Sequence, residues 1–235
     1  MRDKVYMPEQ FGNKLEIYRQ RIFSRELIMA FGLFLFALIL FGYLTREVLL
    51  EKQDLFDVTA FSYMESIDSP ARTQVALFLS FFGTGSFLIP VYLAMIIYFI
   101  RTQRTHYAIQ IFVISFSSLL LGCVLKDIFR RPRPLLQHLD AAGGYSFPSG
   151  HTLGGFTLIG ILIYLVWKSD YPLYTKIIGT VGSFSFGCLI GLSRIYLQVH
   201  FASDTIAGFF VAVIWLSLSL IIIKLSKPAK YKLIF

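Results

Sequence analysis

HYAIQIFVISFSSLLLGCVLKDIFRRPRP, residues 106–134, decides the fold. Its first part, 106–125, is apolar for about the length a helix needs to cross a ~30 Å hydrocarbon core. The run ends at Lys126, and Arg130, Arg131 and Arg133 follow with Pro132 and Pro134. Proline stops the helix and pushes the residue before it toward extended backbone. Ionisable groups at the edge of a bilayer are costly, so a cluster placed there reads as functional.

Working outward, 56% of the 235 residues are hydrophobic, and apolar runs recur. Spans are expected at 27–44, 74–100, 106–125, 152–167, 175–192 and 204–223. The fold class is all-α: a polytopic membrane protein, a six-helix transmembrane bundle forming one domain over 1–235. The run 27–44 is longer than a signal-peptide core and lacks a small-x-small cleavage site, so it stays as the first span. Segments 1–26 and 224–235 read as cytoplasmic tails. Arg2, Lys4, Lys14, Arg19, Arg21 and Arg25 lie in the first; Lys224, Lys227, Lys230 and Lys232 lie in the second. With Arg101, Arg104, Lys168 and Lys176 they fall on one side of a six-span chain, and positive residues mark the cytoplasm. The net charge of +8 therefore reports orientation in a cell membrane and not nucleic-acid binding.

The opposite side carries the acidic first loop, with Glu47, Glu51, Asp54, Asp57, Glu65 and Asp68. Within it Phe56, Ala60, Tyr63, Met64 and Ile67 recur at helical spacing, which predicts a short amphipathic helix lying on the membrane surface. Gly83 and Gly85 predict a tilt or break in the long second span. In the fifth span Gly179, Ser183, Gly187 and Gly191 form a small-residue stripe suited to close helix packing. Cys123 and Cys188 read as buried small hydrophobes without a disulfide.

Two further polar clusters share the acidic side. Pro148-Ser149-Gly150-His151 stands immediately before the fourth span, where Ser149 suits the helix cap. The first N–H groups of that helix form an anion site, with His151 beside it. Between the fifth and sixth spans, Ser193-Arg194 is followed by His200 and Asp204. With helix beginning near Phe201, His200 and Asp204 approach as an i, i+4 pair. A carboxylate on one imidazole nitrogen fixes the tautomer and leaves the other free as a nucleophile. Arginine binds phosphate oxygens in bidentate fashion. Taken jointly, the three clusters suit nucleophilic attack on phosphorus, with Lys and Arg neutralising charge, one His attacking and the other protonating the leaving oxygen.

At these residues the chain resembles the type 2 phosphatidic acid phosphatase (PAP2) superfamily. The pattern K-x6-RP matches Lys126 with Arg133-Pro134; PSGH matches Pro148 to His151; SR-x5-H-x3-D matches Ser193-Arg194, His200 and Asp204. The resemblance covers about residues 74–223. It implies that Lys126, Arg133 and Arg194 bind the phosphoryl oxygens, with Ser149 and the Gly150 N–H assisting. It further implies His200 as the nucleophile forming a phosphohistidine, Asp204 as its orienting group, and His151 as the acid for the leaving group. No cofactor or metal is implied. Arg130 and Arg131 fall in the variable part of the first motif and are left as headgroup contacts. The implied substrate is a lipid phosphate: undecaprenyl pyrophosphate first, with phosphatidylglycerophosphate, phosphatidic acid and lipid A phosphate also open. A phosphotransferase using the same site, or a non-catalytic phospholipid binder or transporter, are the alternatives. Oligomeric state is left open.

Overall fold

A computed structural model describes residues 24–50, 55–134 and 143–226. The basic tail residues from Arg2 to Arg21 and from Lys227 to Lys232, together with Glu51 and Asp54, lie outside the described residues. Helix α1 runs Arg25–Thr45 and continues into a π-helical turn, Arg46–Leu50. It is followed by α2 (Leu55–Ser66), α3 (Pro70–Phe81), α4 (Gly85–Arg101), α5 (Thr105–Phe129), α6 (Gly150–Trp167), α7 (Leu173–Tyr196) and α8 (Ala202–Ser226). Among the described residues six spans are long and apolar enough to cross a membrane, α3 and α4 together making one of them. The expected spans are therefore present, and α6, α7 and α8 begin two residues earlier than the hydropathy edges.

Helix α6 is central. It packs against α5, α7 and α8, and 44% of its apolar stretch is buried, against 28% or less elsewhere. Helix α1 lies mainly on α8, α3 on α7, and α4 on α5. The outward faces carry large exposed apolar side chains such as Phe31, Ile39, Phe112, Ile128 and Ile178. Such a surface is stable only against lipid.

The second span breaks where its glycines stand. Phe82 closes α3, and the Thr84 hydroxyl caps α4 by accepting from the Phe87 N–H at 3.3 Å. At the other end of α3, Pro70 occupies the first turn and the Ser69 hydroxyl accepts from the Arg72 N–H. In α7 only part of the small-residue stripe is used for packing: Gly187 approaches Phe156 and Ile159 and Gly191 approaches Thr205, while Gly179 faces open space. Cys123 and Cys188 are free, but both are exposed on the lipid-facing surface and not buried as expected. Apolar helix faces here are solvated by lipid, so an apolar residue need not turn inward.

Helix α2 is present but is not simply laid on the surface. It packs against α7 and α8 through Met64, Ala60, Phe61 and Ile67. Phe56 and Tyr63, expected on its apolar face, are exposed, whereas Asp57 is 2% exposed. The buried acid is explained by its partners, described next.

Candidate active site

Four helix ends meet at one end of the bundle. Lys126 stands in the last turn of α5, His151 in the first turn of α6, Arg194 in the last turn of α7 and Asp204 in the first turn of α8. The α5 end is set by Arg130, whose left-handed backbone (φ 47°) closes the helix while its N–H reaches back to the Lys126 carbonyl. Residues 131–134 then run back across the site.

The loop before α6 is held by Phe147, fully buried between Phe41 of α1 and Phe129 of α5, with ring centroids 6.0 Å and 5.2 Å away. Its Ser146 N–H donates to the Arg131 carbonyl and its Ser149 N–H to the Asp204 carbonyl, both at 2.9 Å. Ser149 is the N-cap residue of α6, but its hydroxyl makes no cap bond; it accepts from the Thr152 hydroxyl at 3.2 Å. The expected cap is corrected in that respect: Ser149 holds the cap position, but its hydroxyl is taken up by Thr152. A Cβ added at Gly208 would lie 2.6 Å from the Ser149 carbonyl oxygen.

His200 precedes α8 and is 1% exposed. Its Nε2 lies 3.3 Å from Arg133 Nη1. A guanidinium only donates, so Nε2 is the acceptor and Nδ1 carries the proton of the neutral ring. That Nδ1 faces Asp204 Oδ2 at 3.5 Å, long for a hydrogen bond, and has no closer partner among the described residues. Burial pushes the His200 pKa down to about 4, against the opposing pull of Asp204. At neutral pH the imidazole is therefore uncharged with its lone pair on Nε2.

Of the cations, Arg133 touches this nitrogen and Lys126 lies within electrostatic reach of the ring. Arg133 donates to the carbonyls of Val199 at 2.7 Å and Gly144 at 3.1 Å as well. Lys126 Nζ donates to the Tyr145 carbonyl. Arg194 is 1% exposed and bonds the hydroxyl of Ser80 on α3. His151 lies within electrostatic reach of Arg194, Arg133, Lys126 and His200. The break between α3 and α4 touches it directly: a Cβ on Gly83 would stand 2.9 Å from the His151 Cβ. Thus the residues singled out from the sequence, far apart along the chain, share one site.

Three partners escaped sequence reading. Ser80 sits in an ordinary apolar helix and carries no motif. Asp57 was one acid among several in the first loop. Arg131 was expected to contact headgroups but is turned inward, 8% exposed, bonding Asp204 Oδ1 at 2.6 Å and Asp57 Oδ2 at 2.8 Å. The physical reason is that a buried Asp204 needs a compensating charge. Arg130 does remain exposed, bonded to the Asp127 carbonyl at 2.9 Å.

A groove of about 490 Å³ opens between α4, α5 and α6. Its wall is apolar, including Leu88, Tyr92, Phe116, Leu119 and Leu153, and it ends at Lys126, Gly150 and His151.

Comparison with known proteins bears on the family and the fold. A family model described as the PAP2 superfamily matches residues 106–227. The chain is 28% identical over 148 residues to phosphatidylglycerophosphatase B of Bacillus subtilis, covering 61% of this chain and 71% of the relative. It is 26% identical over 119 residues to undecaprenyl-diphosphatase BcrC of the same organism, covering 48% and 56%. Among solved structures it resembles a transmembrane PAP2-type phosphatidylglycerolphosphate phosphatase from Bacillus subtilis, with TM-score 0.74 and 25% identity over 84% of this chain and 97% of that one.

Proposed function

This chain belongs to the PAP2 superfamily and is an enzyme of its lipid phosphatase class; from that premise we propose that it hydrolyses a phosphate monoester or diphosphate on a membrane lipid through a phosphohistidine on His200. The observation that carries the proposal is the apolar groove that opens on the lipid side and ends at Lys126, Gly150 and His151. A tail lying in it delivers the phosphate to the cations. A water-soluble ester has no use for such a wall.

In this mechanism Lys126, Arg133 and Arg194 hold the phosphoryl oxygens and neutralise charge that spreads in the transition state. Ser149 and the Gly150 N–H, at the start of α6, bind the same oxygens with the helix dipole behind them. His200 Nε2 attacks phosphorus as the bond to the leaving oxygen breaks, and His151 gives that oxygen its proton. The Nδ1–H of the cationic phosphohistidine tightens onto Asp204. Water then attacks phosphorus, His151 takes its proton, the P–N bond breaks and inorganic phosphate leaves. The mechanism asks for no metal.

The basic residues at the opposite helix ends, Arg101, Arg104, Lys168, Lys176 and Lys224, support an extracytoplasmic site. Undecaprenyl pyrophosphate and phosphatidylglycerophosphate are the leading substrates, the first ranked ahead; the chemistry at the groove's end serves either headgroup.

The test is phosphate release by the detergent-purified protein from a panel of lipid phosphates, beside His200→Ala. Turnover that falls about a thousandfold or more in the variant supports the nucleophile. A variant as active as wild type overturns it, and wild type that releases phosphate from no lipid overturns the phosphatase.

A further inference from the structure

The start of helix α8 is held partly by its own Asp204 and partly by a carboxylate of α2, 146 residues away in sequence. Asp57 Oδ1 accepts from the Ser203 N–H at 2.9 Å, and Asp57 Oδ2 accepts from the Ser203 hydroxyl at 2.6 Å. Inside the same turn, Asp204 Oδ2 accepts from the Phe201 N–H at 3.0 Å. Each carboxylate thus satisfies one of the orphan donors of the first turn. Arg131 bridges the two acids, Nη1 to Asp204 Oδ1 and Nη2 to Asp57 Oδ2, and Nη1 also donates to the Ser203 hydroxyl at 2.8 Å. Its guanidinium lies 4.0 Å from the centre of the Phe201 ring. Asp57, Ser203 and Asp204 are 2% exposed or less.

We propose that Asp57 and Arg131 are positioning residues for the phosphoryl transfer: Arg131 fixes the Asp204 carboxylate toward His200 Nδ1, and Asp57 shares the Arg131 charge so that Asp204 keeps enough negative charge to stabilise the phosphohistidine. The geometry makes both halves necessary. Asp204 Oδ1 is committed to Arg131, which leaves Oδ2 alone facing His200. A full guanidinium charge on one side of Asp204 weakens its hold on a developing imidazolium on the other. With Asp57 the three groups carry two negative charges against one positive, and the excess lies beside His200. Neither Asp57 nor Arg131 reaches the reacting atoms, so both act through Asp204. The inference rests on His200 being the nucleophile.

The charged and titratable groups facing His200 are Asp204 from α8, Arg133 from the loop, Lys126 from α5 and His151 from α6. Asp57 and Arg131 act on it only through Asp204, which makes opposite effects the signature. Arg131→Gln frees Asp204 to favour protonated His200, whereas Asp57→Asn leaves Arg131 to withdraw charge from Asp204.

The experiment combines steady-state kinetics with ¹⁵N-histidine NMR of full-length protein in micelles; with four histidines in the chain, His200 is assigned by comparison with His200→Ala. The expected result is kcat down about tenfold or more in each variant with KM within about twofold. The His200 protonation midpoint moves up by about half a unit or more in Arg131→Gln and down in Asp57→Asn. Either variant decides the question if the other is not recovered folded. A folded variant with wild-type kcat overturns the proposal, as do a midpoint that stays put or two midpoints moving the same way. A fully active His200→Ala would sink the nucleophile reading instead, while the midpoints would still report the coupling.

Discussion

At the residue scale, His200 combines two demands that oppose each other. Burial holds it neutral, so Nε2 keeps the lone pair that the proposed attack needs, while Asp204 stands where it would stabilise the charge that attack would create. The sign of the pH effect follows. In the unfolded chain His200 titrates near its ordinary value of about 6.5; in the folded protein it does so only at about 4. Between those values the unfolded state binds the proton and the folded state does not, so stability falls as pH drops from about 6.5 to about 4. Wild type is expected to lose melting temperature between pH 7 and pH 5, and His200→Gln, which has nothing to protonate, to lose less of it. Equal losses in the two proteins would contradict the buried neutral ring. That the three polar clusters meet was legible in the sequence, because each stands at the same side of an apolar span. The role of Arg131 was not, because RRPRP gives no sign of which arginine turns inward.

At the element scale, the breaks in helices do as much as the helices. Gly83 lies between α3 and α4 against the His151 side chain, with the His151 Cβ 2.9 Å and its carbonyl 3.1 Å from where a Cβ would stand. Gly83→Ala must push the start of α6 or the His151 ring aside. The expected outcome is a modest stability loss, about 1–2 kcal/mol, with turnover down about tenfold because the proposed acid is displaced. Parallel melting curves and kinetics of the variant check this; unchanged kcat would mean that His151 tolerates the shift or is not the acid. The glycine pair predicted a tilt or a break from sequence alone, and nothing in the sequence said that a break would lie against His151. The short helix α2 was legible as a helix from its apolar spacing. Its docking was not, since Asp57 resembles any solvated acid until Arg131, 74 residues away, is brought beside it. Long-range polar pairing leaves no periodic trace.

At the scale of the whole molecule, the bundle was legible because the length and apolarity of its spans answer directly to bilayer thickness. Their order around α6 was not, since lipid-facing and protein-facing sides of these helices are equally apolar, and Cys123 and Cys188 were misplaced for that reason. Orientation is testable with the same logic. In a cysteine-free background, Gly144→Cys, on the exposed loop beside Arg133, should react with a membrane-impermeant thiol reagent in intact cells. Labelling only after permeabilisation would reverse the assigned topology.

The groove beside α4 and the polar end that closes it imply two separate reservoirs. On the proposed reading, the phosphorylated lipid arrives by lateral diffusion and the dephosphorylated lipid returns the same way, whereas phosphate departs into bulk solution. Saturation and inhibition by the two products therefore follow different concentration scales. Diluting the substrate with inert detergent or lipid at constant total concentration should slow the enzyme as its mole fraction falls, while inhibition by phosphate should depend only on molarity. Kinetic constants quoted in molar units alone would change from one micelle preparation to the next, although the protein itself had not.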